Sequence, residues 1–195
     1  MENTHYISSD LLSIETINTI ISNDYKLALS EEAKVNIVKC RSYLDAKMLS
    51  NDKPIYGINT GFGSLCNVKI SDENLSKLQE NLVKSHACGT GDEVPLEVVK
   101  IMLLLKIQSL SYGHSGVQLA TVNRLINFYN HDVIPVVYEQ GSLGASGDLS
   151  PLAHLTLPLI GLGEVTYNGN RISGKEILDK LNWKKINLQS KEGLA

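Results

Sequence analysis

The run from Gly141 to His154, GSLGASGDLSPLAH, contains a tripeptide whose own backbone can become an electrophile. Its centre is Ala145-Ser146-Gly147. The small side chain of Ala145 leaves its carbonyl carbon open to attack. Gly147 has no Cβ, so its amide nitrogen can bend back onto that carbonyl through conformations closed to other residues. Ser146 can then lose its hydroxyl as water, leaving an exocyclic methylidene on a five-membered ring. Asp148 follows directly and is placed to move protons during the dehydrations. The same string also reads as a glycine-rich turn feeding a helix, with Ser150 as N-cap and Pro151 at the first helical position. Both readings hold together, because a tight loop pinned to a helix N-terminus is where such a ring would be built.

The elements that must position this loop are mostly helical. His5 to Ile7 is a short extended start, Ser13 to Ile21 a modest helix, and Lys26 to Leu29 extended. Ser30 is an N-cap with Glu31 and Glu32 in the favourable first turn. The helix it opens runs to about Leu49, with Ala33, Ile37, Cys40, Leu44 and Met48 as one apolar stripe. Asn51 to Pro54 breaks it. Ile55 to Ser64, with three glycines and few anchoring positions, reads as a shaped loop. It is not a dinucleotide fingerprint, because Cys66 stands where a third glycine belongs. On its residues alone, Tyr56 is a turn tyrosine.

Ser71 caps a helix with Leu75, Leu78, Leu82 and Val83 on one face, running toward His86. A lone histidine there is more often a dipole partner or a satisfied polar group than a substrate contact. Cys88 to Gly91 ends that helix, and Pro95 opens the next, Leu96 to about Tyr112. Its apolar residues lie on nearly every side, which places it centrally in a bundle. Gly113 to Gly116 is a break, Val117 to Asn130 an amphipathic helix, and Val133 to Val137 an extended run into the reactive loop. Beyond the loop, Pro158 must kink or shorten a helix from Pro151 to Leu162. Val165 to Ile172 is a hairpin with Asn168-Gly169 as its type I′ turn. Ser173 to Glu176 is a capping box for a last helix through Leu181. The string GNRISGKE from Gly169 imitates a phosphate-binding loop, but it lacks the Ser or Thr after Lys175 and has no buried parallel strand before it. The expected fold class is mainly α, with a small β-hairpin and extended connectors.

Composition narrows the function classes. A chain of 195 residues is most simply one domain, and 43% hydrophobic with 20% charged residues is ordinary for a soluble globular protein. A net charge of −3 gives no reason to expect nucleic acid or an anionic membrane as partner. No basic, apolar leader opens the chain, and the apolar run Ile101 to Leu105 is far too short to span a bilayer. Cys40, Cys66 and Cys88 are odd in number and not spaced as metal ligands; buried, reduced thiols in a cytoplasmic protein are expected, with no metal.

The reactive string resembles the signature of the aromatic amino acid ammonia-lyases. Further segments carry the resemblance in family order: YGINTGFG from Tyr56 to Gly63, NLVKSHA from Asn81 to Ala87, KIQSL from Lys106 to Leu110, and KEGLA from Lys191 to Ala195. It implies the N-terminal domain of the ammonia-lyase (fumarase/aspartase-like) fold over residues 1–195, with the family's C-terminal helical part lying outside the chain. It also implies that Ala145-Ser146-Gly147 cyclises unaided to a methylidene-imidazolone, so that no diffusible cofactor is needed. Such an electrophile answers a chemical need. Ammonia is a poor leaving group from an α-amino acid, the β-hydrogen is barely acidic, and no natural side chain is electrophilic.

Residue by residue, the resemblance makes Tyr56 the base that takes the β-proton and gives Asp148 a part in ring formation. A phenol ordinarily ionises near ~10, so a tyrosine base needs neighbours or helix dipoles that favour the phenolate. Asn59, Gly63 and His86 map to the substrate side. A Ser-His pair, here Ser85-His86, is typical of the histidine-acting branch, which converts L-histidine to trans-urocanate and ammonia. Phenylalanine-acting relatives carry apolar residues there, and tyrosine-acting ones can also carry a histidine. Relatives are more than twice as long and assemble each site in a homotetramer. Two alternatives stay open: a tyrosine or phenylalanine ammonia-lyase or aminomutase, and a non-catalytic short homologue used in assembly or binding.

Overall fold

In the computed structural model, which describes residues 3–50 and 53–195, the chain begins with a small β-α-β turn. Strand β1 (Thr4–Ile7) lies parallel to β2 (Lys26–Leu29), with helix α1 (Ile14–Ser22) between them in sequence. The hydroxyl of Ser13 accepts from the Thr16 amide, which supplies one of the orphan helix donors with a partner. Helix α2 (Glu31–Leu49) starts the same way, Ser30 accepting from the Ala33 amide. Its stripe is as expected at Ala33, Ile37 and Leu44, which are buried, while Cys40 and Met48 are half-buried. The helix-breaking segment Asn51 to Pro54 lies in part outside the described residues.

Helix α3 (Asp72–His86) buries Leu75, Leu82 and Val83. Ser71 stands at its N-cap, but its hydroxyl accepts from the side chain of Asn74 and not from a helix amide. Helix α4 (Leu96–Ser111) forms the middle of the core with Val99, Leu103, Leu104, Ile107 and Leu110. It packs on α5 (Leu119–Asn130), which brings Val122, Leu125, Ile126, Phe128 and Tyr129. Each such side chain contributes about 1.5–3 kcal/mol on leaving water. The expectation that α4 is covered on nearly every side needs correction: Leu96, Val98 and Leu105 stay exposed, since no described element packs over that face. Helix α5 begins two residues later than expected, because the amide of Gln118 is taken by a carboxylate of the chain's last segment.

The extended run before the reactive loop becomes two short strands in different sheets. Strand β3 (Thr90–Glu93) pairs antiparallel with β5 (Tyr138–Gln140). Strand β4 (Ile134–Pro135) pairs with β6 (Glu164–Tyr167), which pairs in turn with β7 (Asn170–Ser173). Asn168 and Gly169 both have positive φ, 50° and 72°, as a type I′ turn requires. Helix α7 (Gly174–Lys180) opens with the expected capping box of Ser173 and Glu176.

Helix α6 (Leu149–Thr156) passes into a 3₁₀ turn, Leu157–Ile160, where Pro158 sits as anticipated. Its start corrects the sequence expectation. Asp148, not Ser150, is the N-cap, which makes Pro151 the third helical residue and not the first. The cysteines are a second correction: Cys40 and Cys66 are half-buried, Cys88 is exposed, and all three are free. Among the described residues no helix is long and apolar enough to cross a membrane, and no cluster of ligands suits a metal ion.

Candidate active site

The reactive loop spans the gap between β5 and α6, and three glycines shape it. Gly141, Gly144 and Gly147 have φ of 120°, 99° and 68°, a region costly for other residues. Ala145 and Ser146 are exposed. The hydroxyl of Ser146 donates to Oδ1 of Asp148 at 2.5 Å. Asp148 therefore turns back to the loop and makes no side-chain cap on α6. A carboxylate on that hydroxyl suits the proton movements of dehydration, and the left-handed Gly147 suits a chain that must fold back on Ala145. These residues fit the ring expected of them.

Helix α6 packs on α3, and a cleft of about 130 Å³ opens beside them. His86, Lys106, Asp148, Thr156 and Glu192 supply its polar lining, and Leu82, Leu152 and Leu194 much of the rest. His86 is the last residue of α3. Its Nδ1 lies 2.8 Å from the Leu82 carbonyl and 3.2 Å from the Ser85 hydroxyl. Nδ1 is thereby engaged within its own helix, and the ring reaches the cleft from that anchor.

The other three predicted site residues lie on the neighbouring loop and not on the cleft lining. Tyr56 is 64% exposed, its ring edge-on to Phe62 with centroids 5.9 Å apart. Asn59 is buried, and its side chain closes the loop on itself: Oδ1 accepts from the Ile55 amide at 2.6 Å, and Nδ2 donates to the Lys53 carbonyl at 3.2 Å. Gly63, with φ of 57°, opens a 3₁₀ turn, Gly63–Leu65. The loop meets the cleft at one point, where a Cβ on Gly57 would lie 3.0 Å from Leu194. The structure thus brings His86 and Asp148 together and sets Tyr56 on a loop abutting the same wall.

Lys106 is the cleft residue that sequence reasoning passed over. Burial pushes its amine below the usual lysine range, and the nearby Asp148 carboxylate opposes that shift. Among the described residues it makes no ion pair or hydrogen bond. The signal was present: a lysine between Leu105 and Ile107 in an otherwise apolar helix is out of place unless it faces something polar. A larger hollow of about 420 Å³ is lined by Arg41, Asn59 and Ser190, among others. Its Arg41 is already committed to Asp45 and to the carbonyls of Gly116 and Ser190.

Over residues 12–195 the sequence matches the family described as aromatic amino acid lyase. Histidine ammonia-lyase of Clostridium tetani is 47% identical over 184 residues, which is 94% of this chain and 36% of that protein. Among solved structures, the ergothioneine-degrading ergothionase of Treponema denticola superposes with a TM-score of 0.90 at 26% identity, covering 98% of this chain and 38% of that one. Histidine ammonia-lyase of Trypanosoma cruzi gives 0.87 at 31% identity, covering 98% and 36%. The chain spans between a third and two fifths of the length of these proteins. With nearly every residue matched and the fold shared along its whole course, this chain belongs to the aromatic amino acid lyase family.

Proposed function

We propose that this chain is the N-terminal, cofactor-forming part of an ammonia-lyase that converts L-histidine to trans-urocanate and ammonia. The observation that carries the substrate is His86, which lines one cleft with Asp148 while its Nδ1 is held by the Leu82 carbonyl. An imidazole so anchored matches a polar ring and is poorly suited to a phenyl group. Relatives at 44–48% identity that carry the name histidine ammonia-lyase support the same choice.

In this reading the nitrogen of Gly147 closes on the carbonyl carbon of Ala145, whose oxygen leaves as the first water with the amide protons of Gly147 and Ser146; Ser146 then loses its Cα proton and its hydroxyl as the second, and Asp148, hydrogen-bonded to that hydroxyl, carries protons between these groups. Once formed, the methylidene-imidazolone supplies the electrophile that activates the amino acid, without a diffusible cofactor. Tyr56 takes the β-proton, and its place on a glycine-rich loop suits a residue that must close over substrate. Asn59 acts by holding that loop in shape, and the left-handed Gly63 sets the turn after it. Lys106 shares the cleft with Asp148 and brings a positive charge to it. The complete enzyme is a cytoplasmic homotetramer whose other site residues come from parts of the family fold beyond this chain; neither nucleic acid nor membrane is a partner.

The test is turnover by the full-length enzyme. L-Histidine should be deaminated far more efficiently than L-tyrosine or L-phenylalanine, and His86→Phe should reduce activity on histidine more than on phenylalanine. Equal or better turnover of phenylalanine by the unaltered enzyme overturns the substrate assignment. No turnover of any aromatic amino acid by an intact, full-length protein would favour a non-catalytic role.

A further inference from the structure

The end of α3 and the reactive loop meet at a node outside the cleft. Nε2 of His154, on α6, accepts the Gly89 amide at 2.9 Å. The His154 ring stands edge-on to Tyr138 of β5, with centroids 5.1 Å apart. One turn earlier on the same face of α6, the Ser150 hydroxyl lies 3.9 Å from the Cys88 sulfur. The backbones are close as well: a Cβ on Gly141 would sit 2.9 Å from the Cα of Gly89 and 3.1 Å from the Ser150 hydroxyl. Gly89 is three residues past His86, and Gly141 opens the loop that carries Ala145-Ser146-Gly147. One imidazole therefore ties the exit of α3 to the loop's far anchor and, through Tyr138, to the strand that enters the loop.

We propose that His154, as a neutral imidazole accepting from Gly89, is the positioning residue that sets His86 in register with the Ala145-Ser146-Gly147 loop. What is positioned rests on the ammonia-lyase reading; the pin itself does not. The bond needs a lone pair on Nε2, so protonation of the ring abolishes it and sets two donors face to face. Burial already pushes the His154 imidazole below the ordinary histidine value. The charged or titratable groups on the elements around it include Glu73, Lys77, Glu80, Lys84 and His86 on α3, Cys88 beside Gly89, Asp92 and Glu93 on β3, Tyr138 and Glu139 on β5 and Asp148 at the head of α6. Among the described residues none forms an ion pair or hydrogen bond with the ring. The unfolded chain binds this proton more readily than the folded one. The contribution of the pin is therefore complete above about pH 6.5 and is lost as pH falls from there through the lowered value.

The experiment uses nitrogen-15 NMR of the 195-residue chain with Gly89 amide exchange, corrected for the intrinsic pH dependence of exchange. His154 should be the Nδ1–H tautomer at neutral pH and titrate below 6.5. Gly89 protection should fall with the same midpoint. His154→Gln keeps an acceptor of similar reach, so protection should persist and lose that pH dependence; His154→Leu should exchange about tenfold faster than the parent at neutral pH and match it once the parent ring is protonated. Protection retained in His154→Leu, or a His154 that titrates at or above its ordinary value, overturns the pin. In the full-length enzyme, kcat on histidine should fall in His154→Leu, recover in His154→Gln, and lose in the Gln variant an acid limb present in the parent. Full activity in His154→Leu with Gly89 protection lost would show that the pin positions nothing, and overturn the proposal. A parent inactive on every amino acid would instead refute the lyase reading and leave the NMR result to decide the pin.

Discussion

Glu192→Gln should destabilise this chain by about 3 kcal/mol, although it changes one atom. Glu192 is only 5% exposed and lines the candidate active-site cleft. Its Oε1 accepts from the Gln118 amide at 2.9 Å and the Thr121 hydroxyl at 2.6 Å, and its Oε2 from the Gln118 side chain at 2.6 Å and the Gln189 amide at 2.7 Å. Both oxygens are thus saturated by donors. Whichever one becomes an NH₂ group, a backbone amide, of Gln118 at Oε1 or of Gln189 at Oε2, meets another donor and loses its partner, while the Thr121 hydroxyl or the Gln118 side chain must turn round to accept. A hydrogen bond to a charged group is worth ~1.5–3 kcal/mol, and leaving the orphaned amide buried adds ~1–3 kcal/mol, so ~3 kcal/mol is expected. For a domain of this size each kcal/mol moves the midpoint by ~2–4 °C, which gives a drop of ~6–12 °C. Thermal unfolding followed by circular dichroism reads it directly. Thr121→Val deletes one of these charged bonds and leaves no orphaned donor, so it should cost about 1.5 kcal/mol, a smaller shift measured in the same scan. A Glu192→Gln midpoint within about 2 °C of the parent would refute the reasoning, because at ~2–4 °C per kcal/mol it leaves no room for a lost charged bond and a buried orphaned amide.

Two further outcomes follow from the site. Tyr56→Phe in the full-length enzyme should leave the ring's near-ultraviolet absorbance and the fold unchanged while kcat falls ~10²–10⁴-fold; retention of more than about a tenth of the activity would mean another group takes the proton. The isolated 195-residue chain should have its full encoded mass, because Ala145 and Ser146 are exposed and nothing around them holds the strained approach that cyclisation needs. A mass lower by two waters, with absorbance abolished by Ser146→Ala, would show that this chain alone builds the ring.

How far the sequence could be read depended on whether a residue's task was local. Ser30 and Ser173 cap their helices because the cap is settled within three residues of chain, and Asn168-Gly169 turns the hairpin for the same reason. Strand β3 was missed because its residues TGDE are all exposed and carry no alternation; it is a strand only because β5 offers it backbone partners. Asp148 took the N-cap from Ser150 for a related reason. A hydroxyl before a proline is the better local cap, yet Ser150 is drawn into the node with Cys88 and Gly141. In the candidate site, Ala145 to Asp148 could be singled out because the proposed chemistry lies in consecutive residues, and His86 only through the resemblance carried by the segment around it. Lys106 and His154 were not, since each has meaning only through partners far along the chain, Asp148 for one and Gly89 for the other. The groups proposed to react lie close together in sequence, and those proposed to aim them are distant. A substitution at Lys106 or His154 is therefore the more discriminating probe of whether this fold was shaped to hold that loop.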